Sequence, residues 1–157
     1  MKRSELREYT FKMLFQLPFY EEEEWEEQIG LAFQQILSDI VDDKISSMDN
    51  PDQKQEYIEQ KEQELRPIKW RTKEIINHLE QLDEQIESLS EGWKLKRIGK
   101  AELAILRLAI FEIQQDKEVP VGVAINEAVE LSKRYGSDKS SKFINGILGK
   151  LATEEVE

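Results

Sequence analysis

The sequence predicts an all-α protein of about seven helices. Three observations carry that reading. Apolar residues recur at three- and four-residue spacing through most of the 157 residues. Pro18, Pro67, Pro120, Gly92 and Gly136 fall where those periodic runs start or stop. No stretch shows the apolar–polar alternation of a β-hairpin, and no internal repeat emerges. The length fits one domain over residues 1–157, built from two helical subdomains, 1–92 and 93–157.

The first helix is expected from about Arg3 to Leu17, with Leu6, Met13, Leu14 and Leu17 on one side and Pro18 stopping it. Glu21–Glu24 opens a second helix, acids standing where the helix dipole favours them. Its core stripe is Trp25, Ile29, Phe33, Ile36, Leu37 and Ile40. The polar segment at about residues 42–63 holds Pro51 and few large apolar side chains. It is expected to be an inserted loop with a short solvated helix. Pro67 then begins a helix carrying Ile68, Ile75, Leu79, Leu82, Ile86 and Leu89, which Gly92 ends. The run from Ala101 to Ile113 is apolar around most of its circumference and should be the central buried helix. Pro120 and Gly136 bracket the next helix, and the last runs from about Lys139 to Ala152.

KFINGIL, Lys142 to Leu148, tests the all-α reading, because Asn-Gly is a strong hairpin signal. On a helix wheel with Phe143 at zero, Ile147, Ile144 and Leu148 fall at about 40°, 100° and 140°, one coherent stripe. A helix therefore passes through Gly146 at a cost of about 1 kcal/mol, and a close approach at Gly146 is expected to offset it. Lys139, Lys142 and Gly146 lie on the neighbouring face, with Phe143 at its border.

The net charge is −11, unevenly spread. Residues 1–20 hold four cations against two acids, residues 21–92 seven against 21, and residues 93–157 eleven against ten. Ser132–Lys150 holds five cations and only Asp138 as an acid. An acidic average therefore leaves room for a basic nucleic-acid face. Two helix starts carry cations instead of the acids that the dipole favours: Lys2, Arg3 and Arg7 at the first, Lys139 and Lys142 at the last. Cations beside free backbone N–H groups suit phosphate, and Ser137, Ser140 and Ser141 add hydroxyls. Lys133 and Arg134 precede them, where a helix C-terminus already favours cations. Each lysine taken singly reads better as a solvated surface residue, and Phe143 as core.

Catalytic chemistry is not evident. Zero cysteines exclude disulfides and thiolate chemistry. His78, the only histidine, reads as a surface or boundary residue. Glu21–Glu24 lacks calcium-loop spacing, and GILGK at 146–150 is no phosphate loop. No cofactor, metal or membrane partner is expected. With no apolar signal-type stretch, a cytoplasmic location is the default.

The segments WKLKRIGKAELAILRLAIFEI and VPVGVAINEAVELSKRYGSDKSSKFINGIL, from Trp93 to Leu148, resemble the NusB family of bacterial transcription antitermination factors. The likeness is thinner over Lys2–Leu17. It implies two joined three-helix bundles and a non-enzymatic RNA-binding adaptor. Such proteins bind the single-stranded boxA element of nascent ribosomal RNA together with NusE, a small-subunit ribosomal protein, and join an antitermination complex on RNA polymerase. The family's RNA-contacting positions fall on Lys2, Arg3, Arg7, Lys133, Arg134, Lys139, Lys142 and Phe143. Its NusE-facing positions fall on Phe15 and Glu102. The first motif is sparser in arginine than in many relatives, with Glu5 and Glu8 interleaved. The alternative reading is a helical protein-interaction adaptor with little RNA binding of its own. A homodimer is admitted by either reading.

Overall fold

In the computed structural model, residues 1–156 are described. They form seven α-helices joined by turns, with no strand among them. The helices are α1 (Arg3–Gln16), α2 (Trp25–Ser46), α3 (Pro51–Asn77), α4 (Leu79–Leu89), α5 (Lys100–Gln115), α6 (Val121–Tyr135) and α7 (Asp138–Val156). Among the described residues, no helix is long and apolar enough to cross a membrane. The chain divides into two compact units, Met1–Lys73 and Glu74–Glu157. The division lies within α3, not at Gly92 as the sequence led us to expect.

In the first unit α1 ends as expected, and Leu17–Phe19 continues as a 3-10 turn with Pro18 in it. Phe11, Met13, Leu14 and Leu17 are buried, as are Ile29, Phe33, Leu37 and Val41 of α2. The 42–63 segment departs most from expectation. It is no extended loop: α2 runs on to Ser46, and α3 starts at Pro51 and continues without interruption for 27 residues. Local chemistry explains the start. Asn50 Oδ1 accepts from the backbone N–H groups of Asp52 (2.8 Å) and Gln53 (3.3 Å), Pro51 occupies the first helical position, and Asp52 adds an acid in the first turn.

Pro67 therefore lies inside α3. An interior proline costs about 3 kcal/mol. Its neighbours Leu65 and Ile68 are fully buried, and each buried aliphatic side chain returns about 1.5–3 kcal/mol, enough to offset it. The ring itself stays on the exposed side. Within this unit α3 is tied to α2 by Lys69 Nζ lying 5.5 Å from the Phe33 ring centre and by Lys73–Glu26 at 3.9 Å. It is tied to the start of α1 by the N-terminal amine and Glu64 at 3.9 Å.

The second unit holds the last turn of α3 and four helices, one more than a three-helix bundle. The chain breaks at His78. There Nδ1 donates to the Glu74 carbonyl at 2.8 Å, and the ring lies 6.0 Å from Phe111. α5 is central, with Ile105, Leu106, Leu108 and Ile110 almost wholly buried. It packs against α4, α6 and α7. Asp83 of α4 takes a two-pronged hydrogen bond from Arg107 (2.8 and 2.9 Å), and the Gln85 and Gln114 amides pair reciprocally. α6 and α7 form an antiparallel hairpin across Gly136. α7 passes straight through Asn145-Gly146, so the helical reading of KFINGIL holds. The expected close approach does not occur within the chain, since a Cβ on Gly146 would meet open space.

Candidate nucleic-acid interface

The α6–α7 junction is built around a glycine that has no room for a side chain. A Cβ on Gly136 would lie 2.9 Å from the Ser132 carbonyl oxygen and from both Cβ and Oγ of Ser140. That tight turn lets Ser137 cap α7. Its Oγ accepts from Ser140 N–H (3.4 Å), and Ser140 Oγ accepts from Ser137 N–H (3.1 Å), a reciprocal capping box. Ser140 Oγ also donates to Glu102 Oε1 of α5, and the Ser132 and Ser141 hydroxyls pair at 2.8 Å. The serines read from sequence as spare donors for phosphate are therefore engaged inside the protein. The helix start is capped, and Asp138 supplies its acid.

What the junction leaves available is cationic. Lys139 and Lys142 are exposed and form no ion pair among the described residues. Lys133 is paired with Glu130 at 3.3 Å, and Arg134 is exposed with an interaction of its own. Phe143 is half-buried, and its ring meets Trp93 edge-on at 6.3 Å between centres. Together they border an open groove of about 390 Å³, with Arg97, Ile98, Glu102 and Lys139 along its sides.

Sequence reasoning missed Trp93 and Arg97. The available signal was WKLKR itself, an aromatic interleaved with cations, which read only as a connection. Its geometry is fixed. Glu91 (φ 49°) and Gly92 (φ 95°) turn the chain through the left-handed region. Ser90 Oγ donates to the Trp93 carbonyl at 2.8 Å, and Glu87 accepts from Leu95 N–H. Lys150 pairs with Glu91 at 2.7 Å, and this hydrogen bond and charge hold the Glu91 carboxyl below its ordinary range.

The other expected cations lie on the first unit. Lys2 and Arg3 are exposed. The Lys2 carbonyl accepts the first α1 bonds, from Glu5 and Leu6 N–H, but no side chain caps this helix. Arg7, expected to reach RNA, is only 8% exposed. A guanidinium this enclosed is held by the protein before it can serve a ligand. Phe15 sits in an aromatic ladder, stacked on Phe11 and edge-on to Phe19, both at 5.9 Å. Phe19, at 61% exposure, is its open end, and sequence reading missed it. Glu102, the expected partner-facing acid, is half-buried in the second unit. Its carboxylate folds over Gly99 so closely that a Cβ there would collide with it.

Fold and surface together define an all-helical protein with a cationic, aromatic-edged face of the kind that suits single-stranded nucleic acid. The comparisons with known proteins agree with the fold. The family model described as the NusB family matches residues 4–153. "Transcription antitermination protein NusB" of Lachnoclostridium phytofermentans is 44% identical over 151 residues, covering 96% of this chain and 98% of that protein. Its namesake in Agathobacter rectalis is 40% identical over 153 residues, covering 97% and 100%. A solved structure of T. maritima NusB superimposes with a TM-score of 0.72 at 29% identity, over 98% of this chain and 92% of that one. The chain belongs to the NusB family of transcription antitermination factors.

Proposed function

We propose that this protein acts in antitermination by binding single-stranded, boxA-type RNA of nascent ribosomal transcripts, together with NusE, within the RNA polymerase complex in the cytoplasm. One observation carries the reading. Lys139 and Lys142 stand exposed without internal ion pairs beside the half-buried Phe143, at a helix start whose capping is already done by serines. The lysines are free to neutralise phosphates, and the ring can take a base face. Lys133, Arg134, Lys2 and Arg3 add charge at lower rank, and the buried Arg7 ranks last. Phe15 and Glu102 serve the NusE contact. The test is a titration of boxA RNA and a scrambled RNA at two salt concentrations, with and without NusE. Salt-sensitive binding that prefers boxA and tightens with NusE is expected. Equal affinity for both RNAs under all conditions would refute the proposal.

A second reading, a protein-interaction adaptor with little RNA binding, is favoured by the Phe15–Phe19 aromatic edge and by the enclosure of Arg7. It requires that Lys139→Ala with Lys142→Ala leave function intact while loss of Phe15 abolishes it.

A further inference from the structure

We propose that the groove bordered by Trp93 and Phe143 is a binding site for one unpaired RNA base, which stacks on the exposed face of Trp93. This rests on the RNA-binding reading above and extends it to residues outside the expected set. Trp93 is 54% exposed although it is among the largest apolar side chains of the protein. It is also not loosely held: the left-handed turn at Glu91-Gly92 and the Ser90 hydroxyl on its carbonyl fix the backbone that presents it. Phe143 meets that ring edge-on at 6.3 Å and braces it, so the base lies on the exposed face of Trp93 and not between the two rings. The groove's volume of about 390 Å³ is within the usual range for small-ligand clefts, about 300–1,000 Å³.

Charge identifies the occupant. Arg97 and Lys139 line this groove, and Lys94 and Lys96 line a second hollow that shares Trp93 and Arg97 with it. None of these four side chains has a hydrogen-bond or ion-pair partner among the described residues. Of the two acids at the site, Glu91 is paired with Lys150, while Glu102 accepts from the Ser140 hydroxyl and keeps its charge. An apolar slot lined by two cations and one acid, with two more cations in the hollow beside it, has a net positive rim and fits a base with its flanking phosphates. It fits an apolar peptide poorly, because the peptide would leave those cations unanswered.

The Trp93 and Arg97 variants separate the outcomes. A single-stranded boxA RNA carrying 2-aminopurine at successive positions is titrated against the full chain, Trp93→Ala, Trp93→Phe and Arg97→Ala. The parent should quench one position strongly. Trp93→Ala should weaken binding about 5- to 100-fold, the equivalent of one stacked base, and abolish that quenching without changing the salt slope. Trp93→Phe should recover most of both. Arg97→Ala should flatten the salt slope by about one phosphate contact. Thermal unfolding of Trp93→Ala near that of the parent shows that the fold is kept. If Trp93→Ala binds and quenches like the parent, the base site falls while the RNA-binding reading stands. If Trp93→Ala leaves RNA binding intact but weakens NusE, the groove is a protein site and the proposal is overturned. If the parent shows no salt-sensitive RNA binding, both readings fall together.

Discussion

The starts of α1 and α7 look alike in sequence and differ in construction. Both carry cations where a helix dipole prefers acids, with Lys2, Arg3 and Arg7 at one and Lys139 and Lys142 at the other. At α7 the structural work is done by residues other than the cations. The Ser137–Ser140 box satisfies the first N–H groups, Asp138 answers the dipole, and the lysines point to solvent unpaired. At α1 no side chain caps the helix, and Arg7 is drawn into the protein. Cations near a helix start are thus a ligand surface where capping is delegated, and partly a packing device where it is not. A basic helix start becomes informative only once it is known what else satisfies the backbone.

Phe143→Ala should cost about 1–3 kcal/mol of RNA affinity if the ring stacks a base. Phe143→Leu should keep the packing and lose the stacking. If Phe143→Leu binds like the parent, the ring is only core. Gly136→Ala should destabilise the fold by about 1–3 kcal/mol, since its Cβ would press on the Ser132 carbonyl and on Ser140, and overpacking at a fixed backbone has that scale. Chemical denaturation reads it as a lower midpoint at unchanged slope. Ser140→Ala should cost about 1–2 kcal/mol by opening the capping box and leaving Glu102 without its hydroxyl donor. It should leave the salt slope of RNA binding unchanged, which separates scaffold from ligand surface. Lys139→Ala with Lys142→Ala should do the reverse. The slope should fall by about 0.7 per phosphate contact removed, with little change in stability.

The smallest effect concerns the Trp93 turn. Lys150 holds the Glu91 carboxyl below its ordinary range. A carboxyl lowered in the folded state adds stability above its unfolded pKa and loses it as pH falls through the folded value. Glu91→Gln should therefore remove a slight acid-side loss of stability, seen by comparing melting curves across the acid range. Because Glu91 is fully exposed, the difference should be small and vanish at high salt.

Much of the fold was legible. The boundaries of α6 at Pro120 and Gly136, the burial of α5 and the helical passage through Asn145-Gly146 follow from periodicity and end signals, which are local. α3 was misjudged because Pro67 reads as a start. The cap at Asn50 and the burial of Leu65 and Ile68 outweigh it, and the second of these is not a local quantity. At the candidate site, Lys139, Lys142 and Phe143 were legible from charge and the helix wheel. Trp93 and Arg97 were not, because they reach Phe143 across dozens of residues of chain.

The sequence by itself determined that this chain is helical, that its cations gather at two helix starts, and that Trp93 to Leu148 carries the stamp of the NusB family. The first two are matters of composition and of spacing along one helix, and the third is a resemblance of motifs and their order. Only the tertiary structure decided which cations are free, which serines are already engaged, and that Trp93 faces Phe143. Each depends on what packs beside a residue. A hydroxyl that caps a helix and one that awaits a phosphate are the same letter until the neighbouring elements claim one of them.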